Sequence, residues 1–383
     1  MKAIVNGKII VENKILEDKV LLFEEKIVNI LDKENVNLNE DVEIIDVKEL
    51  YVSPGFIDVH IHGSGGKDIM DGDLDAIKVI SSTIAKRGVT SFLPTTMTMD
   101  KEEIYKALDV IKQAMGMKLC GAKVLGAHLE GPFINPKYKG AQKEDFIQNP
   151  SFDFIKGYED VIKIITLAPE KDENFKFLKD IKENTNIVLS IGHSDATYEQ
   201  AMESIDNGIS RATHTFNAMT PLHHRKPGIV GAIMNTDIYC ELIADNIHVH
   251  KGAINALTKV KGKDKIILIT DSMRAGCMKN GMWELGGGQK VIVKNGSARL
   301  EDNTLAGSIL TLDNAVKNMK NNIEASLCEV ISMVTINPAK DINIYDKKGS
   351  LEKGKDADIV IFDKDINISM TIAEGDIVYK NKY

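Results

Sequence analysis

Eight short apolar runs alternate with amphipathic segments through the middle of the chain, and this alternation constrains the fold more than any other feature. The runs cover residues 56–62, 90–95, 124–130, 163–169, 187–193, 211–216, 239–245 and 266–271. Each has the length of a buried strand. The segments between them carry helix signals. Asp73 to Arg87 is ended by Gly88, and Lys101 to Met115 by Gly116. Thr197 to Asn207 opens on a capping Thr and is stopped by Gly208. Strand–helix alternation with eight strands predicts an α/β fold, a parallel (β/α)8 barrel of the TIM type, over residues 54–345. The competing doubly wound sheet would place a GxGxxG turn after its first strand. Gly63-Ser64-Gly65-Gly66 stands there without that spacing.

The two ends read differently. Ala3-Ile4-Val5, Lys8 to Val11, Lys19 to Phe23, Lys26 to Ile30 and Val42 to Val47 are short β pieces separated by turns. Gly349-Ser350-Leu351, Ala357 to Phe362 and Ile377-Val378-Tyr379 return to that style at the C-terminus. One small β-sandwich built from residues 1–53 and 346–383 is expected; two separate terminal hairpins are the alternative.

Bulk properties narrow the function classes. A chain of 383 residues, 43% hydrophobic, can bury one large core and a smaller one. A formal charge of −8 argues against non-specific nucleic-acid binding, while leaving room for a local cationic pocket. Cys120, Cys240, Cys277 and Cys328 are scattered, so reduced and mostly buried thiols are expected. The N-terminus has no apolar leader, and no run approaches the roughly 18 apolar residues of a membrane span. A cytoplasmic protein without a membrane partner follows as the expectation.

The chemistry-bearing residues close the apolar runs. His60 and His62 stand at i and i+2 on the first, so both imidazoles point to one side of a strand and can grip one cation. Glu130 ends the third, ahead of the sharp exit Gly131-Pro132-Phe133. His193, His214 and Asp271 end three more. Ligand types delivered at the same end of several buried strands are what a catalytic barrel requires. Zinc or iron suits this mixture of imidazole nitrogen and carboxylate oxygen. Asp271 is the carboxylate best placed for general acid–base work. Arg225 follows His223 and His224, a cationic cluster fit for phosphate. Each residue also has a plainer reading: a satisfied core histidine, a rim salt bridge for Glu130, a solvated loop for Arg225.

Longer segments carry a resemblance. These are Pro54-Gly55-Phe56-Ile57-Asp58-Val59-His60-Ile61-His62-Gly63, His128-Leu129-Glu130-Gly131-Pro132-Phe133, Gly192-His193-Ser194, His214-Thr215-Phe216-Asn217-Ala218-Met219, His224-Arg225-Lys226-Pro227-Gly228 and Leu305-Ala306-Gly307-Ser308. Together they resemble the amidohydrolase superfamily and, within it, the N-acetylglucosamine-6-phosphate deacetylase family, through nearly the whole chain. The resemblance implies that Glu130, His193 and His214 hold the main metal, and that His60 and His62 hold a second, bridged by Glu130. It implies Asp271 as acid–base, Asn217 and Ala218 as substrate contacts, and Arg225 and His248 as phosphate ligands, within one chain or across a dimer. Ala141, Leu305 and Ala306 would line the sugar pocket. Lys226 replaces the Glu usual in the family's His-Arg-Glu-Pro-Gly segment.

The implied activity is metal-dependent hydrolysis of the acetamido group of N-acetylglucosamine-6-phosphate, by a homodimer holding one or two divalent ions, with manganese and cobalt as further options. An amidohydrolase acting on a cyclic amide is the rival. Many such enzymes bridge two metals with a carboxylated lysine ending strand four, and the run Ile164 to Glu170 has no lysine there. A silent barrel used as a scaffold is the rival outside enzymes.

Overall fold

The computed structural model describes residues 1–36 and 41–381. Its centre is a parallel barrel with strands β1 (Phe56–Ile61), β2 (Val89–Pro94), β3 (Ala127–Glu130), β4 (Ile162–Leu167), β5 (Val188–Ile191), β6 (Ile209–Ala212), β7 (Tyr239–Ile243) and β8 (Ile266–Ile269). Strands β3 to β8 form one continuous parallel sheet, and β1 pairs with β2. Two bridges close the cylinder at its carboxyl rim. Thr95 pairs with His128 between β2 and β3, and Ile61 pairs with Ser272 between β1 and β8. The backbone bond from Asp271 N–H to the His60 carbonyl, 2.9 Å, completes the second seam. The strands bury nearly every residue on both faces, which is why they read as unbroken apolar runs.

Helices cover the barrel. Helix Leu74–Ala85 starts on the Asp73 side chain, which accepts from the Ala76 N–H, and buries Ala76, Ile77, Ile80 and Ile84 on one stripe. Helix Lys101–Met115 buries Ile104, Ala107, Leu108 and Ile111 in the same way and ends at Gly116. Helix Tyr198–Asp206 begins in a capping box between Thr197 and Gln200.

The chain ends meet in a sandwich. A six-stranded sheet runs Asp376–Lys380, Ile368–Ala373, Ile359–Phe362, Tyr51–Pro54, Lys8–Val11, Lys14–Leu16, and so interleaves both termini. A four-stranded sheet of Ile27–Asp32, Lys19–Phe23, Lys2–Val5 and Glu43–Asp46 faces it. Ile4, Leu21, Phe23, Val52, Ile359 and Ile372 lie between them, all fully buried.

Two expectations need correction, and two features lie outside them. Residues 349–351 form no strand, because Gly349 turns the chain at φ +91°. Strands Lys14–Leu16, Tyr51–Pro54 and Ile368–Ala373 were not anticipated. Nor was the antiparallel insert Gly281–Leu285, Gln289–Lys294 and Ser297–Arg299 after β8. The cysteines are all free, but only Cys240 and Cys328 are buried; Cys120 and Cys277 are exposed.

Candidate metal centre

Five strands send polar side chains to one point at the carboxyl rim: His60 and His62 from the end of β1, Glu130 from β3, His193 after β5, His214 after β6 and Asp271 after β8. All are buried. Three turn left-handed to get there, His193 at φ +49°, His214 at +29° and Asp271 at +47°, with Phe216 and Ala218 following at +82° and +50°. Such backbone costs about 1–3 kcal/mol per residue and persists where surroundings impose it. Gly131, at φ +75°, carries the chain away from Glu130; a Cβ there would meet the Thr98 hydroxyl at 2.1 Å.

The donors fall into two sets that share Glu130: His60, His62 and Glu130, then Glu130, His193 and His214. Glu130 Oε1 lies 3.1 Å from His214 Nε2 and 3.4 Å from both His193 Nε2 and His60 Nε2. Its Oε2 lies 3.4 Å from His62 Nε2. Asp271 Oδ1 completes the ring, 3.2 Å from His62 Nε2 and 3.6 Å from His60 Nε2.

What makes this donor set fit a cation is the far side of each ring. His62 Nδ1 faces the Thr95 carbonyl at 3.1 Å, His193 Nδ1 the Tyr138 carbonyl at 2.8 Å, and His214 Nδ1 the Asn217 carbonyl at 3.2 Å. His60 Nδ1 faces the Glu241 carboxylate at 3.0 Å. Each acceptor holds a proton on Nδ1, so the four Nε2 atoms face the cavity, where a cation can bind them. The field agrees. Burial pushes Glu130 and Asp271 upward, but the surrounding imidazoles outweigh it and hold both carboxyls below their usual range. Burial pushes His62 down, and Asp271 and Glu130 outweigh that to lift it well above its usual value. The centre stabilises positive charge.

A third set, His60, His128 and Glu241, lies deeper in the barrel. His128 Nδ1 faces the Val59 carbonyl at 3.0 Å and its Nε2 the Thr166 hydroxyl at 2.7 Å. Both ring nitrogens are engaged. Burial holds its pKa down at about 3, so it is a neutral structural imidazole.

Above the two sets opens a cavity of about 320 Å³, a volume suited to a small ligand. His62, Glu130, Ala141, Asn217, Ala218, His248, Asp271 and Leu305 line it. Two expected residues stand elsewhere. Ala306 is fully buried between Leu305 and Gly307, its N–H bonded to the Ala298 carbonyl. Arg225 is exposed on the loop before helix Gly228–Met234, its guanidinium 2.6 Å from His224 Nε2, and does not line the cavity of its own chain. Sequence reasoning missed Gln142, whose amide donates to Glu130 Oε2 at 2.9 Å while its carbonyl accepts from the Thr98 N–H. It also missed Leu285 of the insert, which walls the cavity, and Glu241. A lone carboxylate inside the run Tyr239–Ile243 was the signal for Glu241.

The amidohydrolase family pattern matches residues 51–378. The chain belongs to the amidohydrolase family. Among its relatives, the N-acetylglucosamine-6-phosphate deacetylase of Bacillus subtilis (strain 168) is 38% identical over 98% of this chain and 96% of the relative. The N-acetylgalactosamine-6-phosphate deacetylase of Escherichia coli O157:H7 is 33% identical over 97% of each. The crystal structure of N-acetylglucosamine-6-phosphate deacetylase from Pasteurella multocida superposes with a TM-score of 0.93 at 34% identity, covering 99% of this chain and 100% of that one. Its barrel and terminal sandwich are therefore a shared architecture, and no described helix of this amidohydrolase is long and apolar enough to cross a membrane.

Proposed function

We propose that the protein removes the acetyl group of N-acetylglucosamine-6-phosphate, giving glucosamine-6-phosphate and acetate. The observation that carries this is the ring of four Nε2 atoms and Glu130 beneath the cavity, with Asp271 Oδ1 at its edge 3.2 Å from His62 Nε2. The names of the two relatives and the Pasteurella structure supply the substrate class. Glu130, His193 and His214 would hold one divalent ion; His60 and His62, with Glu130 between, would hold another. Zinc or iron is our assignment, with manganese or cobalt as substitutes. A divalent cation bound there lowers the pKa of water toward about 7 and polarises an amide carbonyl.

The chain's own part is positioning and proton transfer. Asp271, kept ionised by His60 and His62, takes the proton of the attacking water at Oδ1. It then delivers that proton to the sugar nitrogen as the carbon–nitrogen bond breaks and acetate leaves. Asn217 and Ala218 line the cavity where the sugar would be oriented, and Ala141 and Leu305 close its walls. Ala306 acts only through the loop it anchors. His248, held by Asp245 Oδ2 at 2.6 Å, lies in the lining as a phosphate donor. Arg225 reaches phosphate in this reading from a second copy of the chain, in a cytoplasmic homodimer. Phosphate binding fixes the amide against Asp271 and converts remote contacts into rate.

Acetate release from N-acetylglucosamine-6-phosphate, its galactosamine epimer and the unphosphorylated sugar tests this directly. The phosphorylated glucosamine substrate is expected to lead by at least about 100-fold in kcat/KM over the unphosphorylated one. Equal turnover of the two, or faster hydrolysis of a cyclic amide, would overturn the assignment. A preference for the galactosamine epimer would move it to the activity named for the Escherichia coli relative.

A further inference from the structure

Three of the four cage imidazoles are oriented by backbone carbonyls; His60 alone is oriented by a charged side chain. We infer that Glu241 is a positioning residue for the cation held by His60 and His62, and that Arg211 positions Glu241 in turn. This rests on the two-cation reading given above.

Glu241 on β7 is fully buried and spends both oxygens. Oε2 faces His60 Nδ1 at 3.0 Å and accepts the His214 N–H at 2.9 Å, so it touches one ligand from each donor set. Oε1 is held by the guanidinium of Arg211 on β6. Arg211 is fully buried as well, and its other arm grips Asp341 at the end of helix Ile336–Asp341. A barrel interior is ordinarily filled by branched apolar side chains. A buried ion-pair triad there is poor value for stability, since well-packed apolar residues serve as well or better. Its geometry answers a different need. A carboxylate can only accept, so it keeps the His60 proton on Nδ1 and leaves Nε2 bare toward the cage.

An amide at position 241 does this badly. Its NH₂ facing Arg211 sets donor against donor. Turned round, the NH₂ faces His60 Nδ1 and drives the imidazole proton onto Nε2, where it blocks the cation. Arg211 therefore decides which orientation an amide takes, and removing Arg211 should free the amide carbonyl to face His60. A role limited to neutralising Arg211 predicts something else: lower stability with both cation sites equally affected.

The test uses zinc as probe on the full chain, wild type, Glu241→Gln and the pair Arg211→Met/Glu241→Gln. Of the triad the pair leaves only the Asp341 carboxyl, and burial already pushes that group up to about 6, so it can take a proton. Zinc per chain is counted by elemental analysis after gel filtration, and the imidazoles are followed by NMR on protein carrying ¹⁵N-histidine. We expect Glu241→Gln to weaken one of two zinc sites by about 10- to 100-fold, and the double variant to recover it. The protected His60 Nδ1–H signal, assigned by its absence in His60→Asn, should vanish in the single variant and return in the double. Two undiminished zinc sites in Glu241→Gln, or equal weakening of both, overturns the inference. Should neither variant fold, the wild-type spectrum decides: a His60 proton on Nε2 overturns it, a protected proton on Nδ1 supports it. Fewer than two zinc ions on the wild type instead sinks the two-cation reading and leaves Glu241 without this task.

Discussion

The barrel rim and the terminal sandwich both bury charge, and they handle it in opposite ways. In the sandwich, Lys348 is 5% exposed and its ammonium meets Asp358 at 2.7 Å and Asp356 at 3.0 Å. Burial pushes its pKa down; the two aspartates outweigh that and hold it well above the usual lysine range. The buried ammonium there has its acceptors. At the rim, four imidazole nitrogens and two carboxylates face a common space, and no lysine or arginine among the described residues lies within that ring. Perturbed pKa values occur in both regions, so the perturbation alone does not mark a site. Metal-ligand types converging on one space with no ammonium or guanidinium to balance them do.

The largest effect should come from the rim's one carboxylate placed for proton transfer. Asp271→Asn keeps the shape and removes the base. Turnover is expected to fall about 1,000-fold, ~4 kcal/mol of transition-state stabilisation, while zinc or iron content measured by elemental analysis is kept. Turnover near wild type would take Asp271 out of the reaction. Chelation comes next. Cations held at 1,000 times their Kd add about 4 kcal/mol each to folding stability, so EDTA should lower the denaturation midpoint and restored metal should raise it again. An unchanged midpoint would mean that the rim balances its charge internally, as the sandwich does.

The same contrast separates what residue order discloses from what only three dimensions disclose. The barrel was legible because strands buried on both faces have no choice but to be apolar, and a polar residue ending such a run stands out. His60, Glu130, His193, His214 and Asp271 were all visible on that ground. The left-handed backbone at His193, His214 and Asp271 was not, since nothing in a residue's type announces that a strand end is re-aimed. Gln142 sits in a loop with no spacing to mark it. Leu285 belongs to an insert whose clearest strand, Gln289–Lys294, alternates buried Val291 and Val293 with exposed Lys290 and Ile292; that period of two was there to be read. For Arg225 the residue type disclosed the charge and not the direction, and Ala306 was marked only by the resemblance; where each one points depends on how its loop folds back.

Within the sandwich, Lys348→Met should cost about 3 kcal/mol in equilibrium unfolding, because Asp356 and Asp358 lose their shared buried partner. The rim is untouched by this change, and kcat on the folded fraction should stay at the wild-type value. A fall in kcat together with stability would show that the two regions are coupled, which the separate charge balances do not require.

The smallest effect should come from a pair that is neither converging nor buried. Glu329 caps helix Leu327–Ser332 through Ser326 and lies 2.9 Å from Lys263, with their side chains 42% and 34% exposed. The Lys263 ammonium and then the Ser326 backbone hold its carboxyl down at about 2. A depressed carboxyl pKa stabilises the folded state above the unfolded value near 4.3, and that contribution is lost as pH falls from there toward 2. Solvent screens a pair this open, so the gain in stability is small. We expect Glu329→Gln to cost about 0.5 kcal/mol at pH 7 and almost nothing near pH 2, measured by urea titration at each pH. A loss as large as that of Lys348→Met would show that solvent exposure does not separate weak ion pairs from strong ones in this protein.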